Sequence, residues 1–163
     1  VAKDAELYSI HKTVDVANGA TDEAKAKQFI RTVIKSRKDY KGSGNPTLYI
    51  TEDLLADMLL LEDGIGHLMY ASEAQLATTL RAKEIITIPV MEGQTGVNEK
   101  PLVGILVNLA DYKVGADKGG SVNMFDDFDI DYNQQKYLIE TRASGALVKP
   151  YSAITYEMNV AAA

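Results

Sequence analysis

Hydrophobic positions recur along this chain at two different periods, and the period changes near its middle. After the Asn18-Gly19 break, Ala26, Phe29, Ile30, Val33 and Ile34 return at helical spacing and form one apolar stripe. Thr21 is placed to cap that helix. Asp22 and Glu23 stand in its first turn, where negative charge suits the helix dipole, and Lys35, Arg37 and Lys38 suit its last turn. Gly42 can end it. Thr47–Ile50 reads as a short strand. Thr51 then opens a second helix, with Leu54, Leu55, Met58 and Leu59 as its buried face and Gly64-Ile65-Gly66 as its stop. Leu68–Tyr70 reads as a strand candidate. Ser72 and Gln75 have capping-box spacing before a short third helix that runs to about Leu80.

From Glu84 onward β signals take over. Glu84–Val90 is rich in β-branched residues, and Pro89 places that strand at a sheet edge or a bulge. Residues 91–100 are polar with two glycines and read as an exposed loop. Leu102–Asn108 is an apolar strand. Asp111–Gly115 and Ser121–Ile130 flank a turn at Asp117-Lys118-Gly119-Gly120. Lys136–Ala143 alternates, with Tyr137, Ile139 and Thr141 on one face and Leu138, Glu140 and Arg142 on the other, until Ser144-Gly145 breaks it. Leu147-Val148 and Ala153–Met158 add strands around Pro150. Near the start, Glu6–Val16 fits a strand or a loose helix. Helices first and strands later predict an α+β fold.

Composition narrows the functional classes. At 163 residues the chain is about one domain long, and 46% hydrophobic residues supply a core. No run approaches the roughly 18 apolar residues of a spanning helix, so no membrane partner is expected. The net charge of −6 argues against non-specific nucleic-acid binding, and basic residues gather only at Lys35, Arg37, Lys38 and Lys41. The absence of cysteine excludes disulfides, thiolate metal sites and cysteine nucleophiles. No signal peptide is visible and Val1 is not an initiator Met, so the chain is expected to be processed or a fragment.

Candidate chemistry is sparse. His11 and His67 lack partners at metal-ligand spacing. Asp129, Asp131 and Asn133 would fill positions 1, 3 and 5 of a calcium loop and Glu140 position 12, but Gln134 stands where the sharp turn requires Gly. Gly64-Ile65-Gly66 lacks the third glycine of a dinucleotide fingerprint. Gly115 and Gly120 have Walker-A spacing, but Ser121 replaces the essential Lys. No G-x-S-x-G elbow occurs. No catalytic, cofactor-binding or metal-ligating residue and no cofactor is therefore assigned. An enzymatic or ligand-binding α+β domain using the acids of Asp126–Asp131 stays open as an alternative, as does a calcium-stabilised module on Asp129–Glu140.

A resemblance sharpens this picture. Asn45–Ile50 and Glu62–Tyr70, then Leu106–Gly115 with its Asp111-Tyr112 pair, then Glu140-Thr141-Arg142, Gly145, Lys149-Pro150 and Ser152-Ala153, resemble in order and spacing the major capsid proteins of tailed phages with the HK97-like fold. The resemblance spans about Asp22 to Met158. It implies a leader over 1–21, an axial lobe over 22–115 and returning strands of a peripheral lobe over 116–163, with the family's N-terminal arm, extended loop and spine helix missing. It further implies a structural, non-enzymatic subunit of a phage or prophage shell, assembled in the bacterial cytoplasm and located in the virion capsid. Self-association into pentamers and hexamers is implied, with scaffold and portal proteins as partners and packaged DNA touched only indirectly. A shell protein of an encapsulin-type bacterial nanocompartment is the alternative with the same fold.

Overall fold

The computed structural model describes residues 7–116 and 123–160. The expected turn at 117–120 lies outside the described residues. Nine strands and three α-helices are described: β1 (Ser9–Val16), α1 (Asp22–Ser36), β2 (Thr47–Ile50), α2 (Glu52–Leu59), α3 (Glu73–Leu80), β3 (Ile85–Thr87), β4 (Leu102–Val107), β5 (Tyr112–Ala116), β6 (Asn123–Asp129), β7 (Gln134–Glu140), β8 (Ala143–Leu147) and β9 (Ala153–Val160). They form two compact units. The first runs up to Asp111 and resumes at Leu147; the second is Tyr112–Ala146.

The first unit is a mixed five-stranded sheet in the order β1-β9-β4-β2-β3, covered by helices. β1 runs parallel to β9, β9 and β2 run antiparallel to β4, and β3 runs parallel to β2 at the edge. Ala153–Val160, expected among the returning peripheral strands, thus lies between β1 and β4. Thr21 caps α1 by accepting a hydrogen bond from the Ala24 N–H at 3.3 Å. The helix buries Ala26, Phe29, Ile30 and Val33, while Ile34 stays exposed. It stops at Ser36, short of Gly42. The Ser36 hydroxyl bonds back to the Val33 carbonyl and meets the Tyr156 hydroxyl at 2.7 Å, and Arg37–Asp39 tighten into a 3-10 turn.

Cross-strand rows build the core. Leu48, Leu106 and Ile154 stand side by side on β2, β4 and β9, as do Ile50, Gly104 and Tyr156. Gly104 has a packing reason. A Cβ there would lie 3.0 Å from the Phe29 ring, which meets Tyr156 edge-on with centroids 5.5 Å apart. Phe29, Leu48, Ile50, Leu106, Ile154 and Tyr156 are all buried.

Several expectations are corrected. Residues 68–70 form no strand; an isolated bridge joins Glu62 and Leu68, and pairing stops at the Met69 N–H to Leu61 carbonyl bond because α2 and its cap at Leu60 occupy the chain just before it. The strand expected over Glu84–Val90 is cut to Ile85–Thr87, since Pro89 opens a 3-10 turn. The break in the last third falls at Thr141-Arg142, and Ser144-Gly145 lie inside β8.

Candidate functional site

The second unit presents a run of exposed apolar side chains. β6 and β7 form an antiparallel ribbon in which Met124 faces Ile139, Phe125 faces Leu138, Asp126 faces Tyr137 and Asp127 faces Lys136. Side chains alternate across the ribbon, so Met124, Ile139, Tyr137 and Phe128 share one face while Phe125 and Leu138 share the other. All six are at least half exposed. The turn adds Ile130 at 83% and Tyr132 at 74% exposure. A two-stranded ribbon is marginal on its own, and one with apolar pairs on both faces is shaped to be covered.

The same geometry disposes of the calcium loop. Asp129 and Asp131 lie at the ribbon's turn, where Asp129 accepts the Asp131 N–H at 3.1 Å and pairs with Lys136. Glu140 lies opposite Asn123 at the far end of β7, six residues from Gln134, which is ~20 Å along a strand. It is occupied there by Arg142 at 3.0 Å. The twelfth position can join the loop only in a helix-flanked turn, and this segment is a strand. Asp126, Asp127 and Asp131 are exposed on the ribbon. Among the described residues, no three His, Asp or Glu side chains gather as a metal site.

The first unit carries a second exposed apolar tip. Leu60, Ile65, Leu68 and Met69 are 44–82% exposed around the turn after α2. Asp63 shapes that turn by accepting the N–H groups of Ile65 at 2.8 Å and His67 at 3.0 Å, and these donors hold its carboxyl below the usual range. His67 is thus a turn residue, with its ring 3.7 Å from Asp63. His11 lies on β1 with Nδ1 2.7 Å from the Thr155 hydroxyl.

Two buried acids that sequence reasoning missed act as loop fasteners. Glu157 of β9 is fully buried, and its carboxylate accepts the N–H groups of Val97 at 3.0 Å and Asn98 at 3.2 Å. A Cβ on Gly96 would overlap that carboxylate, so the loop over 94–100 needs glycine for its close approach. Asp111 accepts both the N–H and the hydroxyl of Ser43 at 2.6 Å, while Asn108 donates to the Ser43 carbonyl. Lys149 reaches the same hydroxyl at 3.3 Å. These contacts tie the glycine turn at 42–44 to the end of β4. In both places the carboxylate is taken up by N–H or hydroxyl donors of a neighbouring loop, and the contacts order those loops.

No family model matches the chain, and no curated protein matches it. Solved structures do. The chain is similar to the capsid of an empty GTA particle, with a TM-score of 0.55 and 10% identity over 88% of this chain and 49% of that one. It is similar to the virus-like particle from Pyrococcus furiosus, with a TM-score of 0.54 and 13% identity over 94% of this chain and 57% of that one. It is also similar to a phage-related protein from Bordetella bronchiseptica RB50, with a TM-score of 0.54 and 14% identity over 96% and 59%. The chain therefore spans only half to three-fifths of the length of these structures' chains. Strand order, helix cover and these likenesses together give the chain an α+β, HK97-like capsid fold.

Proposed function

We propose that the protein is a structural subunit of a phage or prophage capsid shell. The observation that carries this reading is the likeness to capsid and virus-like-particle structures over 88–96% of the chain. The apolar ribbon of β6 and β7 supports it, because a closed shell buries such surfaces against symmetry-related copies. On this reading the five-stranded unit is the axial lobe and Tyr112–Ala146 belongs to the peripheral lobe. Pentamers and hexamers are the expected assemblies, with scaffold and portal proteins as partners and the virion as location.

The likeness to the Pyrococcus furiosus virus-like particle supports a second reading, a nanocompartment shell. Negative-stain electron microscopy of the complete gene product, alone and co-expressed with its neighbouring genes, tests the shell role. Closed particles of uniform diameter are expected, and a product that stays monomeric under both conditions overturns it. DNA inside the particles favours the capsid; a protein cargo favours the compartment.

A further inference from the structure

Four lysines of this acidic chain, of its 17 basic residues, line one groove of the first unit. Lys35 ends α1, Lys38 and Lys41 follow it, and Lys12 of β1 faces them. Two hollows share Lys12, Lys38 and Asp39. One, of about 240 Å³, continues to Thr32 and Lys35; the other, of about 670 Å³, continues to Lys41 and Tyr151. Asp39 pairs with Lys12 at 2.8 Å. Among the described residues no ion pair is made by Lys35, Lys38 or Lys41, and Asp39, which also faces Lys38 and Lys41, is the one carboxylate set against four lysines in the two hollows. The groove is thus positive on a chain whose net charge is −6.

Tyr151 is built into this groove. It holds the left-handed φ of +54°, which a non-glycine residue seldom adopts. Backbone bonds fix it on both sides, from its own N–H to the Leu7 carbonyl at 2.9 Å and from the Lys41 N–H to its carbonyl at 2.8 Å. The Lys41 ammonium lies 4.9 Å from the centre of its ring.

We propose that this groove binds the phosphodiester backbone of a nucleic acid. Ammonium heads on flexible stems serve as point charges for phosphates whatever the base sequence. A track continuous across two hollows suits a charged chain, and the Tyr151 ring offers a base a stacking surface. An acidic peptide fits less well, because its carboxylates would use the lysines but bring no base to the Tyr151 ring. The inference rests on the groove and not on the shell reading, so binding without assembly, or assembly without binding, separates the two. It would replace the expected indirect contact with packaged DNA by a direct one.

Fluorescence anisotropy of a labelled oligothymidylate of about 20 nucleotides, titrated with the 163-residue chain at several salt concentrations, tests this. Binding should weaken with salt with a log–log slope near −2, as release of counterions from about three phosphates requires. Lys38→Glu with Lys41→Glu should weaken binding at least ~10-fold at low salt. Lys83→Glu with Lys113→Glu, of equal net charge, should bind like the wild type. All four positions are exposed, and circular dichroism checks that both variants fold. Equal losses in the two variants, or no binding by the wild type at low salt, overturn the proposal. So does displacement of the oligonucleotide by a peptide copying residues 124–135 at a lower concentration than unlabelled oligonucleotide requires, since the partner would then be an acidic protein segment.

Discussion

The five-stranded unit and the β6–β7 ribbon use similar residues to opposite ends. In the first unit Phe29, Leu106 and Ile154 are fully buried, and each sheet row is closed by helices. In the ribbon Phe125, Leu138 and Ile139 are 55–67% exposed, although their strands pair in unbroken register. Hydrogen-bonded pairing alone therefore does not make a core; a second layer does. The first unit brings that layer with it as α1, α2 and α3. The ribbon's apolar faces are the surface that the shell reading assigns to neighbouring copies.

The contrast predicts where truncation hurts. Phe29→Ala removes a ring that touches Tyr156 and sits beneath Gly104. It should cost about 3–5 kcal/mol in urea unfolding followed by circular dichroism, because the closely packed neighbours cannot collapse into the space. A loss below about 1 kcal/mol would mean that the first unit is as loosely covered as the ribbon. Glu157→Gln should cost less, about 1–2 kcal/mol, because the amide keeps the shape but has a single acceptor oxygen, so one of the two backbone N–H groups is left facing an NH2. Hydrogen exchange at Val97 and Asn98 should quicken while the core strands stay protected. Exchange rising equally everywhere would show that Glu157 supports the sheet and not the loop.

A smaller effect depends on pH. Burial, aided by Asp111, pushes the Tyr40 phenol from 10.0 up to about 12, and burial raises Tyr156 further. The folded protein thus keeps protons that the unfolded chain releases near pH 10. Stability from these phenols is whole below that pH and is lost as pH rises from about 10 through 12. The melting temperature should fall across that window and fall less steeply in Tyr40→Phe. Parallel curves for the two proteins would remove Tyr40 from the account.

Local signals made much of the fold legible. Thr21 and Ser72 cap the helices as their spacing implies, Gln75 reaching back to the Ala71 N–H, and Pro89 marks β3 as the edge strand. The order of motifs through Glu140-Thr141-Arg142 implied the capsid fold that the solved structures share. What stayed hidden depends on residues far apart in sequence. Glu157 reads as an ordinary polar position of an alternating strand until the loop near Gly96 is laid over it. Lys35, Lys38 and Lys41 are visible as a cluster, but Lys12 and Tyr151 join them only because β1 pairs with β9. The calcium pattern failed for the converse reason. Its spacing is right along the chain, but a strand carries Glu140 away from the turn that a helix would have kept near.

The sharpest comparison is also the smallest in energy. Phe125→Ala removes from the ribbon the same ring that Phe29→Ala removes from the core. Its partner Leu138 is already 61% exposed, so little apolar area leaves or re-enters water when the ring goes. The 163-residue chain should therefore change by less than about 0.5 kcal/mol, as surface substitutions usually do. In the complete gene product the same substitution, paired with Leu138→Ser, should reduce the yield of closed particles under the microscope. Unchanged stability with lost assembly would place the ribbon's apolar residues at an interface between copies. A loss of stability like that of Phe29→Ala would mean instead that the ribbon is covered within its own chain, and the difference between the two regions would disappear.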